Sequence, residues 1–184
     1  MTVRRNYIKN ECKNKVYIRA FELYKYKNIE KYFDTYTKVY VGRTSEEYFS
    51  LRTRKFINSI IKRTNKNKKL IELYDKFVEY YLIENNLKRT KKNIKKAEYE
   101  LFYKCMKNSF VDAGTEDNAI ILEKQKIQEF KQLSDNPFVA VSLLNEYVKE
   151  DIETNYNADI FLMSENQIKE EIKELKENKK LYTV

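Results

Sequence analysis

Histidine and tryptophan are missing from these 184 residues, and glycine (2), proline (1) and cysteine (2) are nearly so. Without an imidazole there is no His-based nuclease centre, no zinc site with histidine ligands, and no Ser-His or Cys-His triad. Two cysteines, Cys12 and Cys105, supply neither a disulfide framework nor a complete structural zinc site, and their scarcity suits a reducing compartment. No apolar run approaches the roughly 18 residues of a membrane span, and Met1–Cys12 is charged throughout. The sequence therefore reads as soluble and cytoplasmic.

Arginine is absent from residues 110–184, which hold nine lysines against 16 acidic residues, a net of −7. Residues 1–109 hold 28 basic and 12 acidic residues, a net of +16, and every arginine: Arg4, Arg5, Arg19, Arg43, Arg52, Arg54, Arg63 and Arg89. Guanidinium groups clamp phosphate in a bidentate fork, whereas lysine supplies a mobile point charge. A basic unit holding all the arginine is the expected footprint of a phosphate-backbone binder. An AT-rich coding sequence would also enrich lysine, asparagine and tyrosine, but it does not confine arginine to one part of the chain.

Hydrophobic residues make up 42% of the chain and aromatics 14%, enough for one core, or one core plus an appended unit. Lys15–Leu23 alternates with the period of a strand, placing Val16, Ile18 and Ala20 on one side and Tyr17, Arg19 and Phe21 on the other. Lys38–Val41 reads as a second strand stopped by Gly42. Thr44 to Glu47 has the spacing of a capping box, opening a helix whose stripe is Phe49, Phe56, Ile57, Ile60 and Ile61. The segment 64–69 reads as a loop and Leu70–Asp75 as a short helix. Phe77–Ile83, rich in aromatic and branched residues, predicts a third strand, and a longer helix is expected from about Thr90 to Asn108. Asp112–Thr115 is the linker candidate. Beyond it Glu116–Leu133, Asn136–Asn155 and Ser164–Asn178 read as helices, with Pro137 at the start of the second and a capping box from Ser164 to Gln167.

Tyr17, Tyr40-Val41-Gly42, Arg52 and Glu98 form a set able to cut a phosphodiester. Phosphoryl transfer needs a positioned nucleophile, neutralised non-bridging oxygens and help for the leaving oxygen. Arginine supplies the second, and a glutamate-held hard divalent ion can supply the third. A phenol hydroxyl can position a water or accept its proton. Glu98 shares an apolar helix face with Ile94, Leu101 and Phe102, so its carboxylate must be paired, coordinated, at the rim of a cleft, or bent into water. Glu100, flanked by Lys96 and Lys104, reads as an exposed ion pair. Arg52, four residues before Phe56, borders the packed stripe; Arg54 is its solvated neighbour and substitute.

These residues resemble a known signature. Tyr40-Val41-Gly42-Arg43-Thr44-Ser45 followed by Leu51-Arg52 resembles the second half of the GIY-YIG endonuclease motif, and Lys15-Val16-Tyr17-Ile18 resembles the first. Ala97-Glu98 is similar to the family's metal-binding glutamate, and Asn108 falls near an asparagine common there. The sequence departs from the pattern in three places. Lys15 stands for the first glycine, and Phe56 for a frequent histidine. Tyr17 and Tyr40 are 23 residues apart, so an insertion occupies Tyr24–Thr37, or Tyr24 or Tyr26 is the true counterpart.

The resemblance implies an α+β fold with a small three-stranded antiparallel sheet flanked by helices. It would occupy residues 1–110, followed by an acidic helical extension over 111–184. It implies a metal-dependent endonuclease hydrolysing DNA, of phage or mobile-element origin, with Mg²⁺ or Mn²⁺ held by Glu98. Tyr17 would be general base, Tyr40 would orient water or phosphate, and Arg52 would stabilise the pentavalent phosphate. Arg43, Arg54, Arg63, Lys68, Lys69, Arg89, Lys91 and Lys92 would contact the nucleic-acid backbone, DNA being favoured over RNA. Residues 116–184 would pack back on the catalytic unit, dimerise or bind a protein. The rival expectation is a non-enzymatic helical factor of a phage or mobile element, binding nucleic acid or a host protein; it requires the strand segments to be helix or loop.

Overall fold

The computed structural model describes residues 14–46, 49–136 and 140–145. The expected helix Ser164–Asn178, Pro137, Glu47 of the capping box and most of Asn136–Asn155 lie outside these residues. Strand β1 spans Lys15–Glu22 and β2 spans Thr37–Thr44, paired antiparallel with Tyr17 opposite Gly42. Two 3₁₀ turns, Leu23–Lys25 and Ile29–Lys31, fill the connection. Helices α1 (Phe49–Ile61), α2 (Lys68–Glu84) and α3 (Lys91–Tyr99) follow. A π-helical turn, Glu100–Cys105, leads from α3 into β3, Met106–Asp112. Helix α4 covers Glu116–Ser134, and a short β4 covers Val141–Leu143.

The described residues build an α+β fold around a mixed four-stranded sheet of order β3-β1-β2-β4. This corrects the expected three-stranded antiparallel sheet: β3 and β2 flank β1 antiparallel, but β4 adds in parallel to the outer edge of β2. The expected strand Phe77–Ile83 is the second half of α2. Its aromatic and branched residues belong to a longer helical stripe, Leu70, Leu73, Tyr74, Phe77 and Val78, all buried. Asn67 caps that helix by accepting from the Leu70 amide at 3.2 Å. The third strand is instead Met106–Asp112, which takes in the end of the expected Thr90–Asn108 helix and the first residue of the expected linker. Part of the expected helix Asn136–Asn155 is β4. Gly42 does not stop β2, and Thr44 accepts from the Glu46 amide at 3.0 Å.

The alternation in β1 splits the core into two layers. Val16 and Ile18, with Val39 and Val41 of β2, pack under Ala119, Leu122 and Phe130 of α4. Phe21 faces the opposite way, into Phe56, Ile60, Phe77 and Leu101 of the other helices. A boundary at 110/111 would therefore cut through β3, and α4 packs back on the sheet. Among the described residues no helix is long and apolar enough to cross a membrane.

Burial raises the phenols of Tyr26, Tyr40 and Tyr74 and the Cys105 thiol well above their ordinary values, and pushes Tyr80 up to about 12. Each group ionises more easily unfolded than folded, so stability is intact below the unfolded values and falls as pH climbs past them. The melting temperature should hold steady to about pH 8, ease down from about pH 8.5 as the unfolded Cys105 thiol ionises, and drop above about pH 10, where exposed phenols ionise. A melt series across that range checks this; a flat profile to about pH 11 would mean that these groups are solvated.

Candidate active site

Beyond the reach of β4, the outer edge of β2 opens. The Asn145 side chain extends the covering by one residue, bonding the Val41 amide and carbonyl, both at 2.9 Å. From Gly42 onward this edge borders a cleft of about 440 Å³ lined by Tyr17, Tyr40, Gly42 and Arg43 of the sheet, Arg52 of α1, and Glu116 and Glu123 of α4.

Three of the four expected catalytic residues meet here. Tyr17 and Tyr40 share the face of the β1–β2 pair that looks toward α1, with ring centroids 6.3 Å apart. Arg52 Nη2 donates to the Tyr17 hydroxyl at 3.0 Å. Gly42 makes this possible: a Cβ there would lie 2.4 Å from the Tyr17 oxygen and 2.5 Å from Cζ. Of Tyr17, Tyr24 and Tyr26, Tyr17 lines the cleft, whereas Tyr26 packs edge-on against Phe77 and Tyr80 of α2. Burial, then Tyr17 and Glu123, hold the Tyr40 phenol in its protonated form, so Tyr40 can donate a hydrogen bond but is a poor base.

Arg19, also on this face, is fully buried. Its guanidinium carbon lies 4.5 Å from the Tyr17 ring centroid and 4.4 Å from that of Phe56. Nη1 bonds Asn108 at 2.5 Å and Thr53 at 3.2 Å. Burial lowers its pKa to about 10 against the attraction of Tyr17, with Arg52 adding repulsion, so it stays cationic at neutral pH. Phe56 stacks on Arg19, and its ring centroid lies 5.3 Å from that of Tyr40. Lys15, on the same strand face, is also buried, and its Nζ has no hydrogen-bond partner among the described residues. One sheet face and one helix thus concentrate three cations beside two phenols.

Glu98 is placed elsewhere. Its Oε1 accepts from the Tyr74 hydroxyl at 2.8 Å, and Glu98 does not line the cleft. Among the alternatives left open by the sequence, it is paired. Glu100 pairs with Lys104 at 2.6 Å, as expected. Three carboxylates line the cleft, Glu46, Glu116 and Glu123, and Glu123 is the most enclosed of them: its Oε2 accepts from Arg43 Nε at 3.0 Å and its carboxyl is raised by burial against the pull of Arg43 and Arg52. Sequence reading missed Glu123, because only the long-range docking of α4 brings it here. Arg19 had a signal, a charge on the Tyr17 side of an apolar strand.

Of the expected backbone contacts, Arg43 is engaged by Glu123, and Arg63 is clamped by Asp75 through two bonds of 2.7 and 2.8 Å. Arg54, Lys68, Lys69, Arg89, Lys91 and Lys92 are exposed. No protein-family model, curated protein or solved structure matches the chain.

Proposed function

We propose that the chain is a divergent relative of the GIY-YIG endonucleases that hydrolyses phosphodiester bonds of DNA. The observation that carries this reading is the Arg52 guanidinium, held by Tyr17 at the cleft, with a buried Nε that has no hydrogen-bond partner among the described residues. A buried donor of this kind calls for an acceptor, and a phosphate oxygen entering the cleft would supply one. Arg52 would then neutralise the charge that grows on the phosphorus oxygens. Tyr40 would donate to a phosphate oxygen or the attacking water. The Tyr17 hydroxyl, accepting from Arg52, would orient that water and relay its proton, giving up its own hydroxyl proton to a second water of the cleft as it accepts that of the first.

A hydrated Mg²⁺ or Mn²⁺ needs only one or two carboxylates besides water and phosphate. Among the described residues no group of three acidic, cysteine or histidine ligands is preformed. Glu123 and Glu116 face the cleft and fit that smaller requirement, whereas Glu98 does not line it. A bound ion would neutralise the leaving oxygen.

The test is supercoiled plasmid with Mg²⁺ or Mn²⁺, with and without a chelator. Wild type should nick, the chelator should stop it, and Glu123→Gln should slow it at least about tenfold, with Glu98→Ala slowing it less. No nicking by the wild type under either metal ends the enzyme reading. A second reading, binding without cleavage, is favoured by the engagement of Glu98 with Tyr74 and of Glu123 with Arg43. It predicts duplex retention with no nicked product.

A further inference from the structure

Away from the cleft, the two most exposed of the large aromatic side chains among the described residues lie side by side. Tyr99 is 55% exposed and Tyr103 is 60% exposed. They stack on each other with centroids 5.5 Å apart and planes 22° apart. The backbone explains the alignment: Tyr99 ends α3 and Tyr103 lies in the π-helical turn. Residues four apart along a helix are neighbours on one face, so the two rings meet. Ala97, Leu101, Phe102 and Cys105 are buried on the inner face and hold the two rings outward. Neither tyrosine hydroxyl has a hydrogen-bond partner among the described residues. Burial does not account for either ring, and a helix surface needs no aromatic pair.

The surroundings specify the partner. Between Lys88 and Lys107 there are eight cationic residues against Glu98 and Glu100, and both carboxylates are already engaged, by Tyr74 and Lys104. Lys91, Lys92, Lys95 and Lys96 are all exposed on α3, and Lys104 Nζ lies 5.7 Å from the Tyr99 ring centroid. An excess of ammonium groups leading to a pair of exposed rings matches a polyanion whose repeating unit also carries a flat aromatic group. Nucleobases stack on such rings only when unpaired, because in a duplex their faces are covered.

We infer that Tyr99 and Tyr103 form a stacking platform for unpaired bases of single-stranded DNA, whose backbone is followed by the lysines of α3. The inference rests on the nucleic-acid part of the proposed function and not on cleavage. It gives the chain a way to prefer a strand with a frayed or displaced segment over an intact duplex.

The experiment uses the full chain, fluorescein-labelled oligo-dT of about 20 nucleotides and a mixed-sequence duplex of equal length, read by anisotropy at fixed salt without divalent metal. Tyr99→Ala and Tyr103→Ala should each weaken oligo-dT binding about 5- to 100-fold. They should change duplex binding less than about twofold, and Tyr103→Phe should bind as wild type does. Circular dichroism and melting of each variant should be unchanged, since both side chains are exposed. Equal losses on oligo-dT and duplex, alanine variants that bind oligo-dT normally, or a wild type that does not bind oligo-dT each overturn the platform. Tyrosine-dependent oligo-dT binding by a chain that never nicks plasmid leaves the platform standing and removes the nuclease. Nicking that persists while both alanine variants bind oligo-dT normally does the reverse.

Discussion

Arg52→Ala should lower plasmid nicking by at least about 100-fold, the usual cost of removing one donor aimed at transition-state charge, while leaving the melting temperature within a few degrees. The two halves of this expectation have different causes. Arg52 is half-buried on α1 and contributes one hydrogen bond to the fold, to the Tyr17 hydroxyl at 3.0 Å. That hydroxyl also interacts with Arg19, so it is not stranded when Arg52 goes, and the loss is about 1 kcal/mol. Duplex affinity should change less than about threefold, because one cation among many sets little of the backbone attraction. Arg52→Lys is the informative companion. It keeps the charge but loses the planar fork, and should restore less than about a tenth of the wild-type rate if fork geometry is what the cleft uses. Wild-type nicking by Arg52→Ala would remove the phosphate-binding role, and full recovery with lysine would reduce that role to charge alone.

The parts of this arrangement that could be read from the sequence are those governed by short-range rules. Period-two alternation marks β1 because one set of its side chains enters the α4 layer and the other enters the α1–α2 layer. The stripe Phe56, Ile57 and Ile60 marks α1 for the corresponding reason. Phe77–Ile83 misleads because aromatic and branched residues favour strands locally, while the evidence for a helix lies in a longer window that reaches back to Leu70. Strand β3 is nearly invisible: it lies on the sheet edge, and Met106 is its one fully enclosed side chain, so no alternation is written into it. It is a strand because β1 offers an open edge, with Ser109 paired to Ile18 across the fold.

The same distinction applies to the site. Tyr17, Tyr40 and Arg52 lie within one hairpin and the helix that follows it, so their meeting depends on local chain geometry. The 23-residue gap between the tyrosines is accommodated because the connection docks on α2, through Ile29 and Phe33 in the core and a 2.9 Å bond from the Tyr80 hydroxyl to the Lys27 carbonyl. The carboxylate is the part that could not be read. Glu98 lies on the helix face that points inward, but its carboxylate meets Tyr74. Glu123 reaches the cleft because Ala119, Leu122 and Phe130 dock α4 on the far side of the sheet, a contact that no local pattern encodes.

Alanine at position 42 should destabilise the protein by about 1–3 kcal/mol, the cost of overpacking a filled site, which for a chain of this size lowers the melting temperature by roughly 3–10 °C. The added methyl would sit 2.4 Å from the Tyr17 oxygen and 2.9 Å from Cε2, well inside contact distance. Tyr17 cannot swing aside: it is fully buried, Arg19 covers its ring, and Arg52 holds its hydroxyl. Either the strands part locally or the ring is driven from its rotamer, and both displace the hydroxyl from Arg52, so nicking should fall together with stability. A double-mutant cycle isolates the cause. With Tyr17→Ala the ring is gone, and adding Gly42→Ala should then cost almost nothing, so the coupling energy should nearly equal the cost of Gly42→Ala alone. Simple additivity would show that glycine is needed at this position for a reason other than the approach of Tyr17, and the link between the two motif halves would lose its physical basis.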